Sequence, residues 1–166
     1  MRVMINVMPI ALNDLDTVRS WAEHYLAEHP RPDFVVGPPD DHQLERWWIV
    51  PRNPVMNLYL HRFVRSDDDR ALHDHPWDNA SWVLDGEYLE HLLDGQPPRA
   101  GRPNDRISRL AEEAHRIEVV RGPVITLFST GPIRREWGFH CPSGWRPWRD
   151  FVHVTEGGNQ RGRGCE

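Results

Sequence analysis

Two periodicities divide the chain. Leu15, Val18, Trp21, Ala22, Tyr25 and Leu26 recur at helical spacing behind Asn13 or Asp14, either of which can cap a helix, so the pattern predicts a helix through about Glu28. An apolar stripe of this kind is usually a core face, and the helix is expected to pack outside the remainder of the fold. From residue 45 the period shortens to two. Runs rich in β-branched and aromatic residues predict strands over 45–50, 56–64, 80–84, 87–93, 115–120 and 124–128. Asp85-Gly86 between two of these runs predicts a tight hairpin, and Arg121-Gly122-Pro123 predicts another turn. Residues 30–41 and 94–104, rich in proline with acidic residues or glycine, read as loops, and 156–166 reads as a flexible tail.

Strand follows strand after the helix, so the expected fold class is all-β. An antiparallel two-sheet barrel of jelly-roll type suits the pattern, because closure of that kind manages strand edges and leaves an interior pocket. The 166 residues, 39% hydrophobic and including eight tryptophans, suffice for one core. The expected organisation is a single domain: a helix and loop extension over 1–44, a barrel over 45–155 and the tail over 156–166.

The formal net charge of -5 argues against a general nucleic-acid surface, which needs clustered positive charge. No stretch approaches the roughly 20 apolar residues of a membrane span, and no secretory pattern opens the chain. With only Cys141 and Cys165 available, the second in a Gly- and Arg-rich tail, a stabilising disulfide is not expected, and the reading is cytoplasmic. All 20 basic residues are arginine. Compositional bias of the source genome is the plainer explanation, and guanidiniums that bind a substrate carboxylate or phosphate are the functional one.

Chemistry enters at Leu72-His73-Asp74-His75-Pro76-Trp77. Residues two apart on a strand share a face, so His73 and His75 can offer two imidazole nitrogens to one metal ion. The run resembles the first motif of the cupin superfamily, His-x-His, three or four residues, Glu, six residues, Gly. His73, His75 and Gly86 fall on its first, second and last positions, while Asn79 stands where the glutamate ligand is expected, beside Asp78 and Ala80. His115 fits the histidine of the second motif, although the preceding Pro-x-Gly turn is missing and Val119 replaces the usual Asn.

The resemblance implies a cupin-type double-stranded β-helix (jelly-roll) barrel over roughly residues 45–155, with His73, His75 and His115 on one divalent ion. That ion would be Fe(II), with Zn, Mn or Ni as alternatives, and open positions would remain for substrate. Three histidines without a carboxylate look most like the thiol dioxygenases among the cupins. The implied function is a non-haem iron(II) dioxygenase acting on a small molecule or peptide side chain. The alternatives are a metal-dependent isomerase or lyase of the same fold, or a non-catalytic cupin that binds a small ligand. A homodimer is also implied.

Further candidates surround this set. Arg62 could hold a substrate acid group, although alternation puts either His61 or Arg62 in the pocket, seldom both. Tyr59 and His140 could move protons, and His140 is equally open to being a fourth ligand or a structural histidine. Trp77 is the best candidate for a pocket wall, with most other tryptophans in the core. Cys141 reads as a small buried residue.

Overall fold

The computed structural model describes residues 14–67 and 70–166. In the unit Met1–Pro30, helix α1 runs over Leu15–Glu28. Asp14 caps it: its carboxylate accepts the Thr17 amide at 3.2 Å and the Thr17 hydroxyl. Asn13, the other capping candidate, lies outside the described residues.

The second unit, Arg31–Glu166, is built of strands. In chain order they are β1 (Phe34–Val36), β2 (Leu44–Trp48), β3 (Asn57–Phe63), β4 (Leu72–His73), β5 (Asn79–Leu92), β6 (Arg99–Gly101), β7 (Arg106–Arg109) and β8 (His115–Thr130). There follow β9 (Gly138–Cys141), β10 (Gly144–Pro147), the single-turn helix α2 (Trp148–Phe151), β11 (Val152–Thr155) and β12 (Gly158–Arg161). They form one curled sheet in the order β10-β9-β4-β8-β3-β2-β1-β12-β11, with β5 along the other edge of β8 and β6 and β7 beside β5. All pairings are antiparallel except β1 with β12.

The frame is a bent ribbon of β5 and β8, paired from Asn79 with Thr130 to Leu92 with His115. The two hairpins expected within these segments do not form, and each segment is one continuous strand. Asp85-Gly86 has turn chemistry, with Gly86 at φ 79°, but the chain uses it for a bulge. The register shifts between Val83 and Tyr88, opposite the Arg121-Gly122-Pro123 segment. Backbone approaches so closely there that a Cβ on Gly86 would lie 2.6 Å from the Pro123 carbonyl oxygen. A single extra residue changes which parity faces inward. Ser81 before the bulge and Tyr88 after it line the same cavity, as do Ile117 and Thr126 on β8.

Segments expected to be irregular also join the sheet. The 30–41 loop contains β1, the 94–104 loop contains β6, and the tail contributes β12, which pairs in parallel with β1. The tail is further fixed by Arg70, which donates to the Gly162 carbonyl at 3.0 Å, and by a disulfide between Cys141 and Cys165. The expectation of free thiols is therefore overturned. β9 and the returning tail meet beside Ala71 and Phe151, a proximity created by sheet topology and invisible in cysteine spacing. The free-thiol premise of a reducing compartment falls with it. Among the described residues no helix is long and apolar enough to cross a membrane.

Two outcomes test this frame. Gly86→Ala is expected to cost at least about 2 kcal/mol by denaturant unfolding, whereas Gly95→Ala, at a similar φ of 66° but with nothing within 4 Å, costs only about 1 kcal/mol. Replacing both cysteines with serine removes a crosslink across 24 residues and is expected to cost about 3 kcal/mol without reductant. Unchanged stability, with two titratable thiols in the native chain, would show that the bond does not form.

Candidate metal centre

Strand alternation aims His73 and His75 to one side and Asp74 to the other. His73 lies directly opposite His115 across β4 and β8, and the His75 amide donates to the Ala111 carbonyl at 3.0 Å. The three rings form a nearly equilateral triangle, with centroids 5.1, 4.9 and 5.0 Å apart and planes inclined by 62–83°. One donor atom from each lies within 4.8 Å of the others, and among the described residues this is the group that could hold an ion.

The donor chemistry fits a metal. Nε2 of His75 and Nε2 of His115 are 2.9 Å apart. Two nitrogens about 2.1 Å from one ion and at a right angle would sit about 3 Å apart. Burial lowers the pKa of each of the three histidines below the ordinary value, so each is neutral and offers a lone pair. His115 Nδ1 faces Glu90, a carboxylate that can only accept, so Nδ1 carries the proton and Nε2 is left free to coordinate.

Both buried carboxylates behind the imidazoles are heavily bonded. Asp74, 1% exposed, accepts from the Gly138 amide at 2.7 Å, Trp145 Nε1 at 2.9 Å, Arg135 Nη1 at 2.9 Å and His140 Nε2 at 3.0 Å. Its own amide donates to the Gly138 carbonyl at 3.0 Å. Glu90, 0% exposed, accepts from His115, from Arg109 through both Nε and Nη2, and from Arg99 Nε at 2.9 Å. Burial alone would raise the Glu90 pKa, but the hydrogen bonds from His115 and Arg109 outweigh it and hold the carboxyl well below the usual range. Arg109 also reaches Ser81 Oγ at 2.9 Å and Asn79 Oδ1 at 3.3 Å.

The histidines border a cavity of about 1280 Å³ inside the barrel. Trp77 is one wall, stacked on His75 at 5.0 Å and 10°. Tyr59 also lines it, stacked on His61 at 5.9 Å. Arg62 does not. Alternation puts His61 in the cavity, while Arg62 pairs with Glu45 and lies over the Trp47 ring, so the proposed acid-holding role does not suit its position. His140 likewise sits behind β4 on Asp74 and outside the cavity, in the position of a structural histidine. Neither Asp78 nor Asn79 joins the three histidines. Asp78 accepts from the Ala111 amide at 2.9 Å and pairs with Arg134, and Asn79 serves Arg109. Of the remaining tryptophans, Trp48, Trp137 and Trp148 line the cavity, the last two with rings stacked at 5.6 Å and 3°.

Sequence reasoning missed Glu90, Arg109 and Asp74. A faint signal existed for Glu90, which shares the face of Tyr88 in an alternating strand, but its buried arginine partner lies 19 residues on.

No protein-family profile matches the chain, and no curated protein sequence matches it. Solved structures do. DMSP lyase DddQ from Ruegeria pomeroyi DSS-3 matches at a TM-score of 0.52 and 17% identity, over 64% of this chain and 57% of that one. KdgF from a Halomonas species matches at 0.46 and 17%, over 55% and 82%. A cupin superfamily protein from Desulfitobacterium hafniense DCB-2 matches at 0.45 and 15%, over 55% and 79%. The strand order, the inward His-x-His and the likeness to DddQ agree, and the fold of this chain is that of the cupins, a double-stranded β-helix.

Proposed function

We propose that the protein is a metal-dependent enzyme of the cupin fold that transforms a small organic molecule in the barrel cavity, with iron(II)-dependent dioxygenation as its reaction. The observation that carries this reading is the convergence of three neutral imidazoles on one face of a large cavity, with the remaining directions open to it. A divalent ion held there supplies Lewis acidity and, as iron(II), the capacity to reduce dioxygen.

The chain's own residues divide the remaining work. Glu90 fixes the His115 tautomer and makes the imidazole a stronger donor. Trp77 and Phe128, 5.5 Å apart, both pack against the His75 ring and hold its orientation. Tyr59, in the cavity beneath the Arg46 guanidinium, holds a proton where a bound molecule can reach it. A redox-neutral lyase or isomerase is the second reading, favoured by the likeness to a DMSP lyase, and would use the same ion to polarise a carbonyl or carboxylate.

Protein purified without added metal or chelator is expected to hold close to one equivalent of metal, lost in His73→Ala and in His115→Ala. Glu90→Gln is expected to weaken metal affinity by about 10- to 100-fold in chelator competition. Retention of metal by both alanine variants would overturn the ligand set.

Iron-loaded protein, screened anaerobically and then in an oxygen electrode against small thiols, amino acids and hydroxy acids, is expected to consume oxygen with one class and to be silent when zinc-loaded. Turnover by both metal forms without oxygen uptake would transfer the assignment to the lyase or isomerase. Metal binding without turnover of any class would favour a ligand-binding cupin.

A further inference from the structure

The wall formed by β2, β3 and β8 presents its side chains in registered rows. Arg46 lies opposite His61, and His61 opposite Thr126, so one row crosses three neighbouring strands and all three residues line the cavity. The next row is aromatic, with Trp48 opposite Tyr59 and Tyr59 opposite Phe128. On the other side Leu44, Phe63 and Val124 form an apolar row. A polar ledge therefore runs between two apolar ones.

Its polar atoms are incompletely used. Arg46 Nε donates to His61 Nε2 at 2.8 Å, which fixes His61 as the Nδ1–H tautomer and occupies its lone pair. The guanidinium lies over the Tyr59 ring at 4.8 Å and the Phe34 ring at 5.4 Å, and no carboxylate pairs with it among the described residues. Burial pushes its pKa down to about 10, and it remains a cation at neutral pH. Among the other arginines that line the cavity, Arg109 pairs with Glu90, Arg135 with Asp74, Arg149 with Glu136 and Arg65 with Asp41, and Arg52 lies over the Trp48 ring; what sets Arg46 apart is its place in a row with the unsatisfied Thr126 hydroxyl. Thr126, 2% exposed, has a buried hydroxyl with no hydrogen-bond partner. A half-buried guanidinium without an anion and a buried hydroxyl without a partner both carry a desolvation cost, and a bound oxyanion satisfies both.

We propose that the Arg46–His61–Thr126 row is an oxyanion subsite that takes the carboxylate or phosphate of a small organic anion, the Arg46 Nη groups and the Thr126 hydroxyl donating to it. This deepens the proposed function by naming the substrate class. Phe128 bridges the row to the metal centre, 4.7 Å from His61 and 6.4 Å from His75 by ring centroids, so a molecule of modest length anchored on the ledge reaches the histidines.

The test uses chelator-stripped full-length protein, so that its outcome is independent of the metal. Isothermal titration with inorganic phosphate, and separately with acetate, is expected to give one saturable site for at least one anion, and the preferred anion identifies the headgroup. Arg46→Gln is expected to weaken it at least tenfold and the nearly isosteric Thr126→Val about threefold, while Arg121→Gln, an exposed arginine outside the cavity, leaves it unchanged. Circular dichroism establishes folding. Saturable binding that survives Arg46→Gln, or no saturable binding of either anion, overturns the subsite. If Arg46→Gln fails to fold, native affinity in Thr126→Val overturns it and weakened affinity supports it. Anion binding by a chain that never takes up metal would sink the enzymatic reading alone, and metal binding without an anion site would sink this one alone.

Discussion

The site depends on two carboxylates that have no access to water. A carboxylate buried without partners is among the most costly groups a fold can contain, and removing one partner from a buried ion pair typically costs about 3–5 kcal/mol. Asp74 and Glu90 escape that cost only when the elements around them are in place. Asp74 requires β9, β10 and the Arg135 segment, and Glu90 requires β6, β7 and the start of β8. The same bonds set the histidines. With Asp74 held behind β4, His73 and His75 must face the cavity, and with Glu90 on His115 Nδ1, Nε2 must face it too. The geometry of the centre is therefore fixed before any ion arrives, which limits what binding must spend on ordering its ligands.

A second constraint is the shared bulge of β5 and β8. A flat two-stranded ribbon would keep one parity on one face along its whole length. The shift at Gly86 and the facing Arg121-Gly122-Pro123 segment bends both strands together and exchanges parity, so each half presents a different set of residues to a common interior. The candidate ligand His115 and the ledge residue Thr126 come from opposite sides of that exchange.

What the sequence disclosed follows from the range of each interaction. His73 and His75 were legible because alternation is a property of adjacent residues, and the N-terminal helix because its period and its Asp14 cap are local. Asp85-Gly86 was misread because a positive φ serves a bulge as well as a hairpin, and only the facing strand decides which. Arg62 was chosen over its neighbour wrongly, since alternation leaves one of the two inside and only the pairing with β2 and β8 gives that face to His61. Asp74, Glu90 and the disulfide were illegible. Their partners lie between 9 and 71 residues away and are chosen by sheet order, which no local pattern encodes. The tail was read as flexible from its glycines and arginines, yet it is held by β12 and by Cys165.

The charge balance of the cavity now follows from its parts. Three imidazoles bring no negative charge to an ion, so a divalent cation held by them keeps its full charge, unlike one bound through a carboxylate. Of the carboxylates that act on the histidines, Asp74 and Glu90 are matched by Arg135 and Arg109, while Asp67 on the cavity wall accepts from the Ile117 amide and has its pKa raised by burial. Arg46 adds a half-buried cation on the adjoining wall, close enough to help depress the His75 pKa. A protein whose formal charge is -5 thus encloses an interior with a surplus of positive charge, in surroundings of low dielectric where that charge is poorly screened. On the proposed function, such an interior favours an anion over a neutral molecule of the same shape, and the aromatic row between the ledge and the three histidines favours an apolar body joining the anionic end to the reacting end.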